Sequence, residues 1–140
     1  MELQIKYFTD EVQLKMLSIG DWIDVKSAID IQYKSGDFIL LPLGFALKLP
    51  DGYEALLVPR SSTFRKYGVI QTNGMGVIDN SYSGDTDQWM VPFLAMRDGH
   101  IEKGDRVAQF RVLKNQDPIS FERVAHLGTS RGGFGSTGVK

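Results

Sequence analysis

Turn signals recur along the chain at intervals of about 8 to 12 residues, and this spacing leaves little room for anything but short strands. Ser35-Gly36, Pro50-Asp51-Gly52, Asp98-Gly99 and Lys103-Gly104-Asp105 have turn chemistry. Proline presets φ and glycine tolerates the closing conformation. Between the turns, apolar residues alternate. Leu3, Ile5 and Tyr7 flank Gln4 and Lys6, Ile23 and Val25 bracket Asp24, and Ile29, Ile31 and Tyr33 repeat the pattern. Residues 38–49 read as two strongly apolar strand segments broken at Pro42 and Gly44, and residues 53–58, 89–96, 106–113 and 119–124 as further strands. Residues 10–19 are expected to be loop with one helical turn. The pattern predicts an all-β jelly-roll barrel or sandwich. It is expected to form one β domain over residues 1–127, followed by a flexible glycine-rich tail over 128–140.

Composition narrows function mainly by exclusion. A net charge of -1 and a pI near 6.1 give no global attraction to nucleic acid or an anionic membrane, so neither is an expected partner. There are no cysteines and only two histidines, which rules out a thiolate metal site and makes a protein-built transition-metal site unexpected. No apolar run approaches the ~20 residues of a membrane span. A soluble cytoplasmic protein is the expectation.

Residues 68–85 concentrate glycine, asparagine, serine and aspartate around two short apolar pairs, Val69-Ile70 and Val77-Ile78. This reads as a glycine-rich hairpin. Gly74 and Gly76 would let a flat ligand approach the main chain, because no Cβ stands in the way. Asp79 sits at its rim as a candidate chemical group. At residues 59–63, Arg60 with Ser61, Ser62 and Thr63 offers a guanidinium and three hydroxyls at a strand end, suited to phosphate oxygens. Ser61 lacks a recognisable histidine base and is not expected to be a nucleophile. Gln109 follows a turn into a strand and can donate to phosphate, while Asp105 beside Arg106 is expected to be in part an ion pair. The tail places Gly133, Gly135 and Gly138 in a dinucleotide-loop register, yet the strand-before and helix-after context that such a loop requires is not expected here. Its unhindered N–H groups, the hydroxyls of Ser136 and Thr137, and Arg131 can still wrap an anion. Phe134 is placed to stack on a planar ligand.

In order, GDWIDV, PRSS, NGMGVIDNSYSGD, GDRVAQ and RGGFGSTG resemble the five signature motifs of the trimeric dUTPases, over residues 21–138. The first motif departs from the family's commoner form and looks like a variant found in bacteriophages and their Gram-positive hosts, with the role of Trp22 open. The resemblance implies a homotrimeric jelly roll that hydrolyses dUTP to dUMP and pyrophosphate with Mg²⁺, keeping uracil out of DNA and supplying dUMP. Each active site would gather motifs from all three subunits.

Residue by residue, it implies that Asp79 activates the water attacking the α-phosphorus and that Tyr82 packs under the deoxyribose. Asn73 and the backbone through Gly74, Gly76, Val77 and Ile78 would read the uracil edge. Ser61 would donate to the oxygen bridging the α- and β-phosphates, and Arg60, Ser62 and Gln109 would contact the phosphates. Asp24 would touch Mg²⁺ through water. Phe134 would cover the base, with Arg131, Gly135, Ser136 and Thr137 around the γ-phosphate. A dCTP deaminase of the same fold would want a glutamate about ten residues after Asp79, where Asp87, Gln88 and Trp89 stand. A non-catalytic nucleotide-binding regulator would be expected to lose Asp79 or the tail, and both are present. A protein regulator remains a possible partner of a phage-type member.

Overall fold

The computed structural model describes residues 1–135. Its strands are β1 (Gln4–Tyr7), β2 (Ile23–Lys26), β3 (Ile31–Tyr33), β4 (Phe38–Pro42), β5 (Phe45–Lys48), β6 (Tyr53–Val58), β7 (Val69–Gln71), β8 (Gly76–Ile78), β9 (Met90–Ala95), β10 (Gly99–Ile101) and β11 (Arg106–Lys114). A single helical turn at Asp10–Val12 and one short helix, α1 (Thr63–Tyr67), interrupt them. β11 is the spine of a four-stranded sheet ordered β2-β11-β6-β8, and a three-stranded sheet runs β4-β9-β7. The pairs β1-β5 and β3-β10 complete an all-β fold whose sheets do not close into a continuous barrel. Among the described residues no helix is long and apolar enough to cross a membrane.

Alternation along the strands builds one core. β9 turns Val91, Phe93 and Ala95 inward, β4 turns Ile39 and Leu41, and β11 contributes Val107, Ala108 and Phe110. Phe45, Trp89 and Phe110 form an aromatic cluster with centroids 5.0 and 4.9 Å apart along the chain of contacts. Burial of such side chains contributes on the order of 2 to 3 kcal/mol each. The other face of the three-stranded sheet is also apolar but uncovered, with Phe38 and Leu40 of β4, Ile70 of β7 and Met90 of β9 exposed.

Four features differ from the sequence expectation. Val69-Ile70 and Val77-Ile78 do lie in strands, but these do not pair as a hairpin: β7 joins β9, and β8 joins β6. The turn between them therefore crosses from one sheet to the other. Residues 119–124 form no strand, because no strand among the described residues pairs with them, and Ile119, Phe121 and Val124 stay exposed. The hydroxyl-rich residues after Pro59 lead into α1, and Gly99–Ile101, expected as turn, pairs with β3.

Candidate active site

Strand register and the turn after β6 bring five of the candidate residues to one end of the four-stranded sheet. Asp24 of β2 stands across from Gln109 of β11, and Gln109 stands across from Val58, the last residue of β6. Pro59 and Arg60 follow directly. The Gln109 side chain donates to the Pro59 carbonyl at 3.2 Å. Buried Thr63 ties the same turn down: its hydroxyl oxygen accepts the Arg60 N–H at 2.8 Å, and the hydroxyl donates to the Val107 carbonyl at 3.0 Å. Ser61 and Ser62 are thus carried on a turn fixed at both ends, with Ser61 exposed.

Asp24 is the electrostatic centre of this group. Its Oδ1 lies 3.1 Å from Arg60 Nε and its Oδ2 3.6 Å from Arg106 Nη1. Arg106 was expected to pair with Asp105, but Asp105 instead accepts the Glu102 N–H at 3.0 Å within its own turn. The β11–β2 register shifts between Arg106 and Ala108. The extra residue, Val107, reverses the side-chain parity, so Arg106 and Gln109 share a face although they are three positions apart. Regular period-two counting gives no hint of this. Two guanidiniums and a carboxamide beside a serine-bearing turn make a cradle for a polyanion, with Asp24 holding the cations in place.

A second group forms where β8 ends. Asn80 donates through its side chain to the Leu49 and Pro50 carbonyls at 2.9 and 2.8 Å, and Ser83 accepts the Leu49 N–H at 3.1 Å, which pins the loop after Ile78. On this loop Asp79 is exposed, and its Oδ2 accepts both the Ser81 N–H at 2.8 Å and the Ser81 hydroxyl at 2.5 Å. These two donors, the hydroxyl foremost, hold the carboxyl below the ordinary aspartate value of 3.8. Tyr82 anchors its hydroxyl on the Gln88 carbonyl at 2.7 Å and leaves its ring partly exposed. Asn73 and Gly74 occupy the turn between the sheets. Gly74 adopts φ 66°, where a side chain would be strained, and a Cβ on Gly76 would come within 3.2 Å of Leu57 Cβ. Val77 is exposed beside them, and Ile78 is half-buried.

The two groups do not meet within one chain. Asp79 follows Ile78, which stands across from Ala55, whereas Arg60 lies beyond the far end of β6. At ~3.3 Å per residue the two levels differ by about 16 to 20 Å. The tail completes neither: Arg131 and Gly135 are exposed, and Phe134 projects fully into solvent. Ser136 and Thr137 lie outside the described residues. Trp22 packs under the Arg111 guanidinium at 5.5 Å, and Arg111 also holds Asp21 at 2.8 Å, a local structural contact. An apolar groove of about 450 Å³ between β1, β2 and β11 contains none of these candidate residues.

Among the described residues no cluster of three or more histidine, cysteine or acidic side chains could hold a metal by itself. Asp24 is the carboxylate within the cationic group. A lone hard oxygen donor suits a Mg²⁺ that arrives on phosphate oxygens and keeps much of its water, rather than one held in a protein cage.

The dUTPase family model matches residues 22–138. The chain is 52% identical, over the full length of both, to the SPbeta prophage-derived deoxyuridine 5'-triphosphate nucleotidohydrolase YosS of Bacillus subtilis. Its fold is similar to that of a mutant Staphylococcus bacteriophage 80alpha dUTPase with dUpNHpp, at TM-score 0.78 and 20% identity over 99% of each chain. It is also similar to a mutant dUTPase from phage phi11 of S. aureus, a structure that describes coordination of a structural Mg(II) ion, at TM-score 0.73 and 18% identity over 90% of this chain and 98% of that one.

Proposed function

The chain belongs to the dUTPase family and hydrolyses dUTP, and we propose that it does so by water attack on the α-phosphorus, releasing dUMP and pyrophosphate. The observation that carries the mechanism is Asp79. Both donors from Ser81 fall on Oδ2, so Oδ1 is left to orient a water and take its proton. Tyr82 beside it supplies a ring for the deoxyribose, its hydroxyl already engaged on Gln88. The turn at Asn73 and Gly74, with the exposed backbone of β8, faces the base.

The triphosphate fits the other group. Arg60, Arg106, Gln109 and Ser62 hold phosphate oxygens, and Ser61 donates to the bridging oxygen as charge develops on the leaving pyrophosphate. A bound triphosphate would give the two guanidiniums a new anionic partner, and Asp24 would then hold a Mg²⁺ through water. When bound, that ion would neutralise phosphate charge. No covalent step is required.

Because the two groups lie about 16 to 20 Å apart along β6, a single nucleotide must take its phosphate contacts from one copy and its base and sugar contacts from another. A homotrimer meets this need. The uncovered apolar face at Phe38, Leu40, Ile70 and Met90, and the exposed apolar residues Ile119, Phe121, Val124 and Leu127, supply surface for it. A third copy would bring Phe134 over the base, with Arg131, Gly135, Ser136 and Thr137 around the γ-phosphate. Closure of that tail excludes bulk water.

The direct test is incubation with each of the common dNTPs and dUTP in the presence of Mg²⁺, with pyrophosphate as the readout. Rapid release from dUTP alone supports the reading. Comparable release from dCTP or dTTP contradicts it.

A further inference from the structure

Gln71 is a polar side chain only 4% exposed, at the end of β7 where the chain leaves one sheet for the other. Its Nε2 donates to the Leu57 carbonyl of β6 and to Asn73 Oδ1, each at 2.9 Å. These bonds have a fixed polarity. A backbone carbonyl only accepts, so Gln71 must turn its NH₂ toward Leu57; the reverse orientation would set two acceptors face to face. The second hydrogen of the same NH₂ then needs an acceptor, and Asn73 has to turn Oδ1 inward to supply it. Asn73 is an exposed residue, and its Nδ2 lies 3.6 Å from where a Cβ on Gly76 would stand. Gln71 Oε1 makes no hydrogen bond among the described residues, so the side chain's bonding is concentrated in its NH₂. The Gln71 backbone carbonyl also accepts the Gly74 N–H at 3.2 Å, which closes the turn from the same residue.

We propose that Gln71 is a positioning residue that passes the polarity of the β6 backbone to Asn73, making that side chain a fixed N–H donor and so a selector for a carbonyl on the base edge. The inference rests on the reading of the Asn73 turn as the base-reading element. Uracil presents a carbonyl where cytosine presents an amino group. A free carboxamide could flip to suit either, whereas one clamped by Gln71 cannot. Discrimination of this kind arises because the wrong base leaves polar groups unpaired.

The test measures kcat and KM for dUTP, and inhibition by dCTP, in wild type, Gln71→Met, Asn73→Ala, Asn73→Asp and the Gln71→Met/Asn73→Ala pair. Asn73→Asp turns an acceptor outward, and the expected result is a loss of dUTP-over-dCTP preference of about 10 to 100-fold, carried by KM. Gln71→Met is expected to lose about tenfold of the preference with kcat nearly unchanged, and to add nothing once Asn73 is alanine. A folded Gln71→Met with wild-type preference, or additive effects in the pair, overturns the proposal while the base-reading assignment stands. Unchanged preference in Asn73→Asp overturns both. Melting temperatures supply a check independent of any Gln71 variant. Asp at position 73 still accepts from Gln71 and should keep the wild-type Tm, whereas Ala strands a buried N–H and should lower it. Equal Tm for the two overturns the clamp.

Discussion

Asp24 and Arg60 are joined at 3.1 Å between β2 and the turn that follows β6, both side chains less than a quarter exposed. With Arg106 on the other carboxylate oxygen, the arrangement gathers two positive charges before any phosphate is present. The anion that holds them is the one a triphosphate would replace.

Asp24→Asn should therefore lower stability by about 1 to 3 kcal/mol, since it leaves two cations facing each other in a partly dry place. A non-hydrolysable triphosphate such as dUpNHpp should restore what was lost. Thermal melts with and without the nucleotide check this: the ligand-induced rise in Tm should be larger in the variant than in wild type. An equal or smaller rise would show that Asp24 does not stand in for phosphate.

Thr63 carries the turn that presents Arg60 and Ser61. Thr63→Val keeps the shape but leaves the Arg60 N–H and the Val107 carbonyl without their partner. A loss of about 1 to 3 kcal/mol in denaturant unfolding is expected. KM for dUTP should rise as well, because the phosphate turn loosens.

Asp79 must be ionised to accept a proton from water. Its carboxyl is held below 3.8 by Ser81, so the acid limb of kcat/KM that it sets should lie below the ordinary aspartate range. Ser81→Ala removes the larger of the two donors and keeps the backbone N–H. The limb should move upward in pH while the rate near pH 7, where the group is ionised in both forms, changes little. A pH profile of the two proteins reads the shift, and coincident acid limbs would show that Ser81 does not tune the base. Asp79→Asn should lower kcat by about 10² to 10⁴-fold and still bind nucleotide.

Deletion of every residue after Thr129 should lower kcat/KM by about 10²-fold or more, the scale of a lost closing element. The core cluster draws nothing from that part of the chain, so the melt should stay cooperative at the wild-type temperature. Full activity in the truncated protein would remove the tail from the site.

Sedimentation should give a trimer. Phe38→Asp places a charge on the uncovered face of the β4-β9-β7 sheet, where the wild-type ring is largely exposed in the single chain. It should shift the protein toward monomer and abolish activity without unfolding it. A monomer that turned over dUTP at the wild-type rate would contradict a site built from several copies.

Most strands were legible because alternation survives wherever one face is buried, as at Ile23 and Val25 around Asp24 or along residues 53–58. Legibility failed where pairing depends on distant chain. Val69-Ile70 and Val77-Ile78 are eight residues apart and look like partners, yet the larger sheets claim one each. Residues 119–124 have strand composition, but composition cannot supply a neighbouring strand. Among the candidate site residues, Asp79 and Arg60 are marked by residue type, whereas Tyr82 is marked only by the family resemblance. Arg106 was missed because the bulge at Val107 reverses the facing of the next residues, and no period-two count anticipates an inserted residue. Gln71 was missed because its role lies in the direction of two hydrogen bonds.

The length of β6 also bears on inheritance. Since Arg60 and Asp79 sit at opposite ends of that strand, a lesion in one leaves the other's contribution untouched. Two inactive alleles, Arg60→Ala and Asp79→Asn, refolded together would produce mixed assemblies in which some sites draw a sound residue from each parent. Their extract should regain activity that neither possesses, while an excess of either defective form over wild type should poison it.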